Sequence, residues 1–417
     1  MATVVLLGTL DTKGAEYAFL GDRVREFGCD VIVVDAGVLS ASPLADITAD
    51  EVAAAAGESR ARLAADGDRG AAMVAMTRGA TEIVRRLHAD GRLGAVLAAG
   101  GSGGSSLASA AMRALPFGVP KVLVSTMATG DTRPYVGTSD IAMLYSVVDV
   151  AGINVISERI LTNAAAAAAG MARASAGFVS RIEARPMIGA TMYGVTTPCV
   201  SAARQVLEER GYEVLVFHAT GAGGRSMEAL IRAGVITGVL DVTTTELADD
   251  LVGGVQSAGP NRLEAAAAMG LPQVVSLGAL DMVAFGPLDT VPERFRGRNL
   301  YMHNAAVTLM RTTEAECAEL GRIVARKLNA ATGPLTVFVP ARGLSMIDRP
   351  GAPFYDPAAD AALIRELKAR LRPGIEVVEM ATHINDHSFA CAMAERLDAL
   401  YRSPMGVPVA VATGGGA

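Results

Sequence analysis

The chain has 417 residues with a formal charge of −6; 51% of them are hydrophobic and only 4% aromatic. That length exceeds what one hydrophobic core organises and sets an expectation of two domains of about 200 residues each. Acid and base are interspersed, which excludes a basic stripe for nucleic acid or a polybasic membrane patch and leaves a small molecule as the expected partner.

Short apolar runs alternate with longer helical patterns, the pattern of strand–helix units that build a parallel sheet. In the first half the runs span residues 4–7, 31–34, 95–98 and 121–124, each ending in glycine or small polar residues. Residues 1–10 are too short and lack a basic leader, so they read as a first strand rather than a signal peptide, with the cytoplasm as the default location. The richest apolar stretch, residues 160–179, is mostly Ala and is interrupted by Asn163 and Arg173. It predicts a buried helix rather than a membrane span. In the second half, runs at 187–191, 214–217, 235–240, 273–277, 335–339 and 376–378 predict a second, six-stranded sheet.

The two halves echo each other at their starts. A strand meets GTLDTKG, a helix ends near Gly28, and FGCDVIVVDAG supplies the next strand; GATMYGVTTP, a helix ending at Gly211 and GYEVLVFHATG repeat the order. The boundary is expected at Ala184 and Arg185, where the Ala-rich helix gives way to Arg185-Pro186. The expected fold is α/β: two Rossmann-like domains, 1–184 and 185–417, each a mostly parallel sheet flanked by helices, with a cleft between them and the nucleotide in the first. The four cysteines (Cys29, Cys199, Cys317, Cys391) lie far apart, which argues against a zinc cage or a disulfide framework.

In open α/β sheets ligands bind beyond the carboxyl ends of the strands, so the turns there are the candidate sites. GTLDTKG (8–14) offers N–H groups leading into a helix, hydroxyls at Thr9 and Thr12, a carboxylate at Asp11 and an ammonium at Lys13. AAGGSGGSS (98–106) brings Gly100, Gly101, Ser102, Gly103, Gly104 and Ser105, whose small size lets a phosphate approach the backbone. STMATGDTRPYVG (125–137) adds Thr126, Thr129, Gly130 and Asp131, the last a candidate magnesium ligand through water or, with Arg133, an interface ion pair. Asp35, ending the second strand, stands where an acid binds a ribose hydroxyl, or caps the following turn.

The second half carries ionisable residues in the corresponding turns. His218 and Arg225 lie in HATGAGGRSME, Glu246 follows Asp241 and a run of three threonines, and His303, Arg311 and Arg342 come later. HINDHSF supplies His383, Asp386 and His387; Asn385 and Asp386 are expected to cap a helix beginning at His387, which keeps the two histidines off a shared metal-binding helical face.

Taken together, TLDTKG, GGSGG, VSTMATGD, HATGAGGRSME, ELADDLVGGV, SAGPNRLEAA, GALDMVAFGP, VPERFRGR, HNAAVTLMRTT, PFYDPAADAAL and INDHSFA resemble the ATP-binding domain of the tobamovirus-resistance protein and its bacterial relatives, over nearly the whole chain. The resemblance implies two Rossmann-like subdomains, ATP with Mg2+ as ligand in the N-terminal one, and a homodimer or higher homo-oligomer. Ala284 stands where the family pattern has Asn, and the histidines flanking the shared IND are departures. The function expected is ATP binding, as an enzyme acting on a small carboxylated metabolite near His218, Glu246, His303, Arg311, Arg342, Asp386 and His387. The alternatives are a nucleotide-independent hydrolase or lyase with His303 or His387 as general base, and a nucleotide-gated binding protein without turnover.

Overall fold

The computed structural model describes residues 2–403. The chain divides into two compact units, the division falling between Ile182 and Glu183.

In the N-terminal unit β1 (Thr3–Gly8), β2 (Asp30–Asp35), β3 (Ala95–Gly100), β4 (Lys121–Ser125) and β5 (Ala142–Tyr145) form one parallel sheet in the order β2-β1-β3-β4-β5. The side chains of β1 alternate between two cores: Val5 and Leu7 pack with Met76, Ile83, Leu107 and Met112 on one face, Val4 and Leu6 with Tyr17, Leu20, Leu161 and Ala165 on the other. Burial on both faces is why the strands read as unbroken apolar runs. The Ala-rich helix Val155–Ala176 lays Leu161, Ala164, Ala165, Ala168, Ala169 and Ala172 on the sheet. Among the described residues no helix is long and apolar enough to cross a membrane.

In the C-terminal unit β6 (Met187–Met192), β7 (Glu213–His218), β8 (Gly238–Thr243) and β9 (Gln273–Gly278) belong to a second parallel sheet. After β10 (Met282–Phe285), β11 (Leu300–Asn304) and β12 (Val307–Arg311), it is completed by β13 (Leu335–Pro340) and β14 (Glu376–Met380), in the order β14-β13-β9-β8-β6-β7. Both units are therefore α/β, Rossmann-like, and both sheets set their first strand between their second and third. The echo seen in the sequence is matched in topology. β10, β12 and β11 form a separate antiparallel sheet that the sequence reading did not contain. Its hairpin turns through Ala305 and Ala306 without glycine, and the Asn304 side chain closes the turn by accepting from Ala306 N at 2.8 Å.

Where strand order reverses, neighbouring strands send their following loops to opposite faces and open a crevice. At the β1/β3 reversal the paired register runs from Val4 opposite Ala95 to Leu6 opposite Leu97. Beyond it a side chain bridges the strands: the buried Tyr17 hydroxyl donates to Leu7 O (2.6 Å) and accepts from Ala99 N (3.0 Å). Gly8 is required beneath it, since a Cβ there would lie 2.0 Å from the Tyr17 ring.

Candidate functional site

Two long helices begin at this reversal, Leu10–Glu26 after β1 and Ser102–Arg113 after β3. The helices Ala49–Ala55, Arg60–Asp66, Arg69–Ala89 and Val155–Ala176 each have their first turn closed by a side chain, from Thr48, Ser59, Asp68 and Asn154. Neither helix at the reversal has such a cap. The bond from Ser105 N to Gly101 O (2.9 Å) opens the second of them, and the N–H groups of Ser102, Gly103 and Gly104 precede it. Exposed N–H groups at a helix start carry partial positive charge and attract anions.

Both helix starts border a cavity of about 380 Å³, through Thr9, Asp11 and Thr12 on one side and Gly103 and Gly104 on the other. Its far wall is the loop after β2, Ala36 to Leu39, and an apolar patch that includes Leu63 and Met73. Arg69 completes the lining, and a Cβ at Gly103 would stand 3.8 Å from its Nη2. Arg69 is exposed and has no hydrogen bond or ion pair among the described residues. It was not among the expected site residues. The sequence held one signal for it, an Asp-Arg-Gly run in which Asp68 caps the helix that Arg69 begins.

Several expected ligand groups are committed elsewhere. The Asp11 carboxylate accepts from Val38 N (2.9 Å) and Leu39 N (3.0 Å), so it pins the β2 loop to the first helix. Asp35 is fully buried and accepts from Leu10 N (3.0 Å) and Gly37 N (2.8 Å). Burial raises its pKa against the opposing pull of those two N–H groups, and it does not line the cavity. Lys13 Nζ bonds the Val150 carbonyl instead of facing the glycine turn. Ser105 is buried against Ser125 Oγ at 2.7 Å. Gly100, Gly101 and Ser102 adjoin the lining residues Gly103 and Gly104 without themselves lining the cavity, and Thr126 Oγ1 lies 3.8 Å from where a Gly101 Cβ would stand. Thr126, Thr129, Gly130 and Asp131 do not line the cavity, and Asp131 is held by Arg133 through two bonds of 2.8 Å.

The lining thus offers backbone N–H groups, two threonine hydroxyls and one guanidinium, with the carboxylates of Asp11 and Asp68 among them. Among the described residues no three His, Cys, Asp or Glu side chains are placed to share an ion.

The expected catalytic residues of the second unit fall in separate places. Glu246 is fully buried: its Oε1 accepts from Gly221 N (2.7 Å) and Gly224 N (3.1 Å), and its Oε2 meets Arg262 Nε at 2.6 Å. It thus occupies the glycine turn after β7 where an anion would otherwise bind, and a Cβ at Gly224 would lie 2.1 Å from it. Arg262, equally buried, also grips Asp241 through bonds of 2.5 and 2.7 Å. Glu246 is thus buried and bound to Gly221, Gly224 and Arg262. Arg311 is nearly as enclosed, bound to Phe354 O (2.7 Å) and Asp360 Oδ1 (2.6 Å). His218 and His303 do converge: Tyr193 stacks at 5.4 Å on His218, and a Cβ at Gly194 would stand 3.9 Å from His303 Nε2. His387 begins the helix His387–Arg402 with Asp386 as its N-cap residue, and its Nδ1 lies 3.3 Å from Cys391 Sγ. His383 points elsewhere, to Ser345 O at 2.7 Å. Arg342 is exposed just beyond β13.

Fold and site define a class: an α/β protein of two units whose first three strands share one order, carrying an uncapped glycine turn at the N-terminal reversal and, after β7 of the C-terminal unit, a glycine turn filled by its own Glu246. The particular family follows from comparison with known sequences. The chain belongs to the uncharacterised protein family UPF0261, whose N-terminal domain matches residues 2–177 and whose C-terminal domain matches 185–401. It is 53% identical to a UPF0261 protein of Clostridium tetani over 94% of this chain and 98% of the relative. It is 44% identical to one of Mesorhizobium japonicum over 95% and 99%. The ToMV resistance protein Tm-1(GCR237) of Solanum lycopersicum is 42% identical over 94% of this chain, which spans 55% of that relative.

Proposed function

We propose that the N-terminal unit binds ATP at the β1/β3 reversal. The observation that carries the reading is the helix start after β3: four helices of this unit close their first turn with an N-cap side chain, whereas Ser102–Arg113 opens beside the cavity without one. The phosphates would lie over Ser102, Gly103 and Gly104 with Arg69 as counter-charge, and the base against Leu39, Leu63 and Met73. Magnesium would enter with the triphosphate, coordinated by phosphate oxygens and water, as this ion usually keeps several waters. The homodimer implied by the family resemblance belongs to the same proposal and is read by sedimentation equilibrium.

Calorimetric titration of the purified chain with ATP and magnesium tests the reading. One saturable site per chain is expected, weakened about tenfold or more by Arg69→Gln, the usual scale for losing a charge-assisted hydrogen bond. Absence of saturable heat from cooperatively folded protein refutes it.

A further inference from the structure

A cavity of about 830 Å³ in the C-terminal unit lies beyond the carboxyl ends of β13 and β14, where α/β sheets place ligands. One wall is the helix Pro357–Arg370, which presents Asp360, Ile364, Arg365 and Lys368 at helical spacing; Arg342 and Tyr355 face them. The charges here are unevenly matched. Lys368 is paired with Glu379 at 2.7 Å, whereas Arg342 and Arg365 have no acidic partner among the described residues.

Asp360, in the cavity lining, is joined to a buried group of acids. It bonds Arg311 Nη2 at 2.6 Å and abuts the carboxyl of Asp348, while Asp281 stands close enough to act on both. Ser345 Oγ donates to Asp281 Oδ2 at 2.7 Å, and Leu344 N to Asp348 Oδ2 at 2.8 Å. The remaining oxygens, Asp281 Oδ1 and Asp348 Oδ1, are buried with no N–H or hydroxyl partner. Three carboxyls around one guanidinium cannot all stay ionised out of water, so the group retains a proton. Burial first, then Asp348, pushes Asp360 up, and the two abutting carboxyls share that proton behind the cavity wall.

We propose that this cavity is a second ligand site, taking a small metabolite through an anionic group, carboxylate or phosphate, held by Arg342 and Arg365, whose guanidinium groups have no acidic partner of their own among the described residues. The site lies wholly within the C-terminal unit and does not depend on the nucleotide reading. The groups facing Asp360 are Arg311, Asp348 and Asp281 behind it, Arg365 and Lys368 on its own helix, and Arg342, Tyr355 and Glu379 across the cavity.

The test is calorimetric titration with inorganic phosphate and, separately, with succinate. Saturable binding of at least one probe is expected, weakened tenfold or more by Arg365→Gln or Arg342→Gln with thermal unfolding unchanged, and untouched by Arg69→Gln. Phosphate alone marks a phosphorylated metabolite, and succinate alone a carboxylate. Failure of both probes to saturate, or binding indifferent to both arginine variants, overturns the site.

Discussion

Tyr17→Phe isolates the device that holds the β1/β3 reversal open. The ring is kept, so no cavity is created and no clash with Gly8 arises. What is lost is one hydroxyl that bonds Leu7 O at 2.6 Å and Ala99 N at 3.0 Å, both inside the sheet. The Ala99 N–H is left buried without a partner, and the two effects together are worth about 2 kcal/mol, since an unmade buried bond costs ~1–3 kcal/mol. With a urea slope of about 2 kcal/mol per molar for a unit of this size, the midpoint should fall by about 1 M. Hydrogen exchange of peptides covering β1 and β3, followed by mass spectrometry across a urea series, reads this unit separately from the other. Because the splayed strand ends carry both uncapped helices, ATP affinity should fall as well. A midpoint lowered by less than about 0.3 M, with the slope unchanged, would show that the hydroxyl bridge contributes nothing net and sink the reasoning.

Other outcomes follow from the buried charges of the C-terminal unit. Arg262→Met strands Asp241 and Glu246 in the interior and should cost this unit about 3–5 kcal/mol; adding Asp241→Asn and Glu246→Gln should restore part of it, and no recovery in the triple variant would rule out stranded charge as the cause. Burial pushes Asp249 up to about 7 despite the N–H groups of Gln256 and Ala284. Its folded pKa therefore exceeds its unfolded one, the folded state binds more protons between about pH 4 and 7, and stability declines as pH rises through that window. Asp249→Asn should flatten this decline in urea midpoints measured across the window, and an identical pH profile in the variant would refute the assignment.

Ten of the eleven strands of the two parallel sheets could be read from sequence because each carries a short apolar run, unbroken where the strand is buried on both faces. β5 escaped that reading because its two end residues are exposed, and the β11–β12 hairpin because two alanines, not glycine, make its turn. The glycine turns after β1 and β3 were legible for the same local reason: only small residues leave a helix start uncovered. Which charged groups are free to meet a ligand was decided by tertiary structure alone. Asp11 is engaged by a residue 27 positions away, Asp35 and Glu246 by residues 25 positions away, and Lys13 by Val150. Arg69 and Asp360 gained their places by the converse, one left without a partner and the other pressed against a second acid. Periodicity records which face of an element is buried, whereas the availability of a charge depends on N–H groups and counter-charges that only the folded chain brings within 3 Å.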